Sequence, residues 1–264
     1  FSTYLGGTSV DRAEAVSVDD SDNVYVTGET SSTDFTTLNA DQPSFGGGSN
    51  NDAFLTKFDS SGSIGYSTYF GGSGSDVGYG IHADTSGFVF IAGGTDSSDL
   101  PLKLPVQASS GGGDDAFLSA YNSSGSRMFS TYLGGSGGDE AFDVSRTDDE
   151  VTLTGGTNSS DFTTSASTYQ ASNAGNYDAF VTRFSVGDLF AVAATNTMAQ
   201  DQYIGRVGKP PPSAGSQEVS LQTEEIQELL PTFDLQVSQD SVVSNTGLRS
   251  EQVGLAVNWL TKGS

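Results

Sequence analysis

Carboxylates are the side chains of this sequence best placed to do chemistry. Asp19, Asp20, Asp22 and Asn23 lie within one short stretch. A calcium loop needs oxygen ligands at alternate positions, a glycine and a distal glutamate. Only the alternation of Asp20 and Asp22 is present, and the matching stretch at residues 84–87 has a single carboxylate. Asp and Asn are also preferred hairpin-turn residues. We therefore expect turns and no metal centre, with Asp20 and Asp22 the positions a calcium ion would use if one bound. Three further carboxylates recur along the chain: Asp11, Asp76 and Asp139; Asp34, Asp99 and Asp161; Asp52, Asp115 and Asp178. Each lies beside Gly or Ser, where a carboxylate accepts backbone N–H bonds. Structural capping is the expected role, and a rim that collects cations is the alternative.

Other reactive groups are scarce. His82 is the sole histidine and Cys is absent, so zinc or copper would find almost no ligands and a Ser-His triad has no support. His82 aligns with Ser17 and Ser145 and reads as a polar position on an exposed strand. The glycine strings at residues 46–48 and 111–113 lack the lysine and following helix of a phosphate loop. No carboxylate pair is peculiar to one part of the chain. The expectation is a protein without catalytic residues or cofactor.

The elements that carry these residues repeat. Ser-Thr-Tyr-Leu-Gly-Gly at residues 2–7 returns at residues 67–72, with Phe for Leu, and at residues 130–135. Asp-Ala-Phe begins at Asp52, Asp115 and Asp178, spaced by 63 residues both times. Within the first unit, alternation and turn residues predict strands over residues 14–19, 24–28, 53–58 and 64–70. Val16 and Val18 share one face of the first of these, and Phe54 and Phe58 one face of the third. Four short antiparallel strands per repeat are the make-up of a propeller blade. The fold class is therefore all-β, with three tandem four-stranded blade units over residues 1–65, 66–128 and 129–188. Each unit exceeds a typical blade of about 40–50 residues. The excess is a Gly/Ser/Asn-rich loop between second and third strands, at residues 31–51, 96–113 and 158–176. Such loops are where repeat proteins usually bind their ligands.

The strings Tyr-Ser-Thr-Tyr-Phe-Gly-Gly at residues 66–72 and Ser-Gly-Phe-Val-Phe-Ile-Ala-Gly-Gly-Thr at residues 86–95 resemble the SBBP β-propeller repeat family. So does the stretch from Asn23 to Phe35. The resemblance covers residues 1–188. It implies a propeller on a secreted or surface-exposed protein and carries no established chemistry. Closed propellers have about 4–8 blades, whereas this chain has three units and opens inside a repeat. Residues 1–5 read as a last strand that could close the third unit, and the sequence reads as a fragment of a longer product. Unpaired sheet edges invite aggregation, so something must cover them.

Beyond residue 188 the repeat stops. Pro210, Pro211 and Pro212 form a stiff spacer. Three stretches after it begin alike, at Leu221, Leu235 and Leu248. They resemble repeats at the ends of phage virion proteins, and residues 189–264 are expected to form a docking or assembly segment that buries Trp259. The 264 residues carry 33 acidic and 10 basic side chains, a net charge of −23. That balance argues against nucleic acid as a partner. No apolar run is long enough to span a bilayer. The function expected is that of a structural or adhesive protein on an outer surface, self-associating or part of a larger assembly. A glycan- or protein-binding propeller is the alternative, and a propeller hydrolase or lyase a third reading.

Overall fold

A computed structural model describes residues 1–47, 50–147, 149–165 and 168–187. Over these the chain is all-β, with eleven strands in three antiparallel sheets. The first sheet holds β1 (Asp11–Val18), β2 (Val24–Thr30), β3 (Asp52–Phe58) and β4 (Ile64–Phe70) in sequence order. The second repeats the order with β5 (Asp76–Ala83), β6 (Val89–Thr95), β7 (Asp115–Tyr121) and β8 (Arg127–Leu133). The third has three strands, β9 (Asp139–Arg146), β10 (Glu150–Thr157) and β11 (Asp178–Ser185). These are blade units joined by short links.

The same register recurs in each sheet. Thr30 opposes Asp52 in the first and Thr95 opposes Asp115 in the second. Each first strand carries one extra residue, Glu14, Tyr79 or Phe142, where the pairing slips. An inserted residue raises local twist, and the rings of Tyr79 and Phe142 meet edge-on across neighbouring blades, 6.1 Å apart.

Burial follows position in the array. The middle blade has a blade on each side, so every residue of β6 and β7 is buried. In β11 the alternation reappears: Phe180 and Phe184 are buried while Val181 is 75% exposed. One apolar cluster joins Tyr25, Leu55 and Phe70 of the first blade to Ile81, Phe117 and Tyr121 of the second. Phe70 and Phe117 rings lie 5.0 Å apart. Between the second and third blades, Arg146 pairs with Asp84 and stacks over Phe88 and Phe90.

Two expectations need correction. Residues 1–5 are not in a strand, and they do not close the third sheet. Instead Phe1 packs on Phe58 at 5.8 Å and Leu5 on the Phe35, Phe54, Tyr69 cluster, against the first blade. The apolar side chains choose that site because Phe58 and Phe54 would otherwise face water. The third unit accordingly has three strands among the described residues, not four. The strand bounds of the first unit agree with expectation except that β1 runs from Asp11 to Val18, β2 runs to Thr30 and β3 starts at Asp52. The polar ends Asp11 and Thr30 pair with one another, which hydrophobic alternation cannot reveal. The segment over residues 189–264, with Trp259 and the phage-like stretches, lies outside the described residues.

Candidate functional site

Because the strands run antiparallel, the starts of β1 and β3 and the ends of β2 and β4 share one rim of the blade. All three recurrent carboxylates lie there. Asp76 opens β5 and is fully buried. It accepts hydrogen bonds from the Gly72 amide at 2.8 Å, from the Ser97 hydroxyl at 2.9 Å and from the Thr95 hydroxyl. Asp11 repeats the pattern with Gly7, Ser32 and Thr30, and Asp139 with Gly135 and Ser159. Asp99 binds the amide and hydroxyl of Ser73, as Asp34 does with Thr8 and Asp161 with Ser136. Asp52 takes the Gly46 and Gly47 amides, Asp115 that of Gly111, and Asp178 that of Ala174.

These carboxylates lie close enough to interact. A Cβ on Gly71, in the link between blades, would come within 2.6 Å of both Asp52 Cγ and Asp76 Oδ2. Only glycine lets the chain pass between them, which explains the Gly-Gly pair after each fourth strand. Burial pushes the carboxyls of Asp52 and Asp76 up to about 6, against their hydrogen bonds. Repulsion from Asp99 adds to the first, and from Asp52 to the second. Asp115 is raised for the same first reason. The exposed Asp34, Asp99 and Asp161 go the other way, held low by the backbone amide and hydroxyl that each accepts.

On the opposite rim, Asp20 and Asp22 are exposed in the β1–β2 turn. Asp22 adopts a left-handed φ of 58°. The side chain that organises this turn is Asp19, which accepts from the Ser21 and Asn23 amides, the Asn23 side chain and the Tyr25 hydroxyl. Asp59, Asp84 and Asn122 close the β3–β4, β5–β6 and β7–β8 turns in the same way. No group of three or more Asp, Glu, His or Cys side chains among the described residues is arranged to hold a metal ion.

His82 is half-buried on β5, not exposed. Burial, then the Arg146 guanidinium, lower its pKa, and Asp143 opposes them. Sequence reasoning missed this because the burying residues belong to the next unit, 64 positions away for Arg146.

The long loops differ most from expectation. The first folds back along the outer edge of β4: Leu38 exchanges backbone bonds with Ser67, and the Tyr69 amide donates to Gln42. The second does the same on β8, through Lys103 with Ser130 and Gln107 with Tyr132. The Gln42 and Gln107 side chains each accept the amide of a link glycine, Gly71 or Gly134, at 3.1 Å. These loops are straps that occupy the sheet edge. The signal was available in Gln42, Gln107 and Gln170, which recur ahead of each Asp-Ala-Phe.

Residues 1–36 and 65–101 match the family model of SBBP, a beta-propeller repeat. These two stretches carry SBBP-type repeats. The matched stretches hold residues 1–5 and β4, the glycine links, the first two strands and the first strap residues of the leading two units. The third unit lies outside the match, and it repeats the carboxylate pattern and strand register of the first two. No curated protein matches the chain.

Proposed function

We propose that the chain is a non-enzymatic structural or adhesive protein displayed on an outer surface, such as a cell envelope, an extracellular filament or a virion, and that it works by assembling through its blades. The observation that carries this reading is the engagement of every recurrent carboxylate with amides and hydroxyls of the chain itself. Groups so engaged serve as fasteners, and the buried ones, Asp52, Asp76, Asp115 and Asp139, lack the solvent access that an acid–base pair needs. The straps favour this reading over a glycan-binding one, because their central residues lie along sheet edges. A net charge of −23 suits a soluble, exposed molecule and disfavours nucleic acid. No cofactor is needed for such a role.

Antibodies raised against the purified chain test the location. They should label intact source cells or particles. Labelling that requires permeabilisation would remove the surface role. Retention on a glycan array would move the reading to a binding propeller.

A further inference from the structure

Asn-x-Ser or Asn-x-Thr, with any residue but proline at x, is the triplet that an N-glycosylating transferase reads. It occurs twice in the chain, as Asn122-Ser123-Ser124 and as Asn158-Ser159-Ser160. The first lies in the turn between β7 and β8, on the rim opposite the recurrent carboxylates. Its counterpart in the first unit, Asp59-Ser60-Ser61-Gly62-Ser63, differs from residues 122–126 only in having Asp for Asn. Both turns close in the same way. Asp59 accepts the Ser61 and Ser63 amides and the Ser61 hydroxyl. Asn122 accepts the Ser124 amide at 3.1 Å, the Ser126 amide at 2.9 Å and the Ser124 hydroxyl at 2.7 Å.

Asn in place of Asp therefore gains the turn nothing. What it adds is an NH2 group, and the side-chain bonds of Asn122 all run through Oδ1. Three donors on that oxygen fix the plane of the carboxamide and hold the Ser124 hydroxyl beside it. Ser123 and Ser124 are exposed, so the triplet is open to a second protein. The other triplet is built differently. Asn158 Oδ1 takes the Gly138 amide at 2.6 Å, where Asp96 takes that of Ser75. Its middle residue, Ser159, is 1% exposed and is bound to Asp139 and to the Gly137 amide. A residue sealed into the link between blades cannot enter a transferase cleft.

We propose that Asn122 is the acceptor of an N-linked glycan, attached in the β7–β8 turn. The donor is an oligosaccharide carried on a polyprenyl diphosphate. Asn122 Nδ2 attacks the anomeric carbon and a C–N bond forms. The C–O bond to the diphosphate breaks, its electron pair leaves with the polyprenyl diphosphate, and the nitrogen gives up one proton to a base of the transferase. No oxidant or reductant is required. The proposal rests on the outer-surface reading, since N-linked glycans are carried on the surface loops of secreted proteins. The glycan stands on the rim away from the glycine links and leaves the carboxylate fasteners untouched.

Trypsin separates the two triplets, into peptides 104–127 and 147–183. Mass spectrometry of the protein purified from its source cells should find peptide 104–127 heavier by a glycan, with fragmentation placing the sugar on Asn122. Expressed in the same cells, Ser124→Ala should lose that glycan and Ser124→Thr should keep it. Asn122→Asp should lose it with an unchanged melting temperature, because Asp59 closes the same turn as a carboxylate. A bare peptide 104–127 overturns the proposal. So does a sugar placed on one of its serines, a glycan that Ser124→Ala leaves in place, or a glycan on Asn158 alone. A bare Asn122 on a chain that antibodies label on intact surfaces leaves the surface role standing. A glycan on Asn122 of a chain labelled only after permeabilisation removes the surface role and leaves the glycan.

Discussion

Phe117 shows what a single position contributes. It is fully buried, pairs with Tyr132 across the sheet and meets the ring of Phe70 on the preceding blade. Phe117→Ala should therefore cost about 3–5 kcal/mol, read by chemical denaturation; an unchanged midpoint would mean the face is misassigned. Asp52 and Asp76 make a different prediction. Their folded-state pKa values, about 6, lie above the ordinary 3.8. The folded chain thus binds protons that the unfolded chain has released, and stability falls as pH rises through that interval. Their contribution is complete below about pH 4 and lost above about pH 6. Asp34, Asp99 and Asp161, with lowered values, contribute above the ordinary carboxylate range and lose that contribution on acidification. Between about pH 4.5 and 6.5 the first group dominates, so the melting temperature should fall with rising pH. Asp76→Asn should flatten that fall, and an unaltered slope would acquit the buried pair. The positions of these carboxylates were legible in sequence because they recur. Their partners were not: Asp76 draws on residues 4, 19 and 21 positions away, and no local pattern links them.

Strands were legible and straps were not, for a physical reason. Alternating Val, Phe and Tyr report a pleated half-buried face directly. A strap such as residues 31–51 has the composition of a free loop, since its order comes from backbone bonds to β4 that no side-chain type announces. Its ordering makes a testable difference. The Tyr69 and Tyr132 amides face outward from their sheets and bond to Gln42 and Gln107 carbonyls. Hydrogen exchange should find them protected, and exchange at the rate of open loop amides would show that the edge is bare. The misread segment, residues 1–5, failed differently. Its sequence is that of a strand, yet among the described residues it pairs with no sheet and packs its apolar side chains on the first blade.

At the scale of the molecule, charge and packing separate. The excess of 23 negative charges raises the question of whether cations hold the blades together. The buried contacts answer with rings, hydroxyls and amides, and the turn carboxylates answer with Asx-type closure by Asp19 and Asp84. Excess chelator should therefore change the melting temperature little. A large drop that calcium reverses and magnesium does not would make Asp20, Asp22 or the rim carboxylates ligands. The three-unit architecture was legible from the 63-residue spacing, whereas the third sheet's count of three strands among the described residues appeared only in the structure.

The glycine links have a mechanical consequence. Each joins one blade's outermost strand to the next blade's first strand, and is fastened at Gly72 by Asp76 and at Gly135 by Asp139. Tension along the polypeptide reaches a blade through that fastened link, so a blade should hold until its fastening gives and then unravel as a unit. Repeat arrays resist as a series of nearly equal elements. Pulled from its ends, the chain should lengthen in steps of about 200 Å, the extended reach of one repeat, and Asp76→Ala should lower the force of one step while sparing the others.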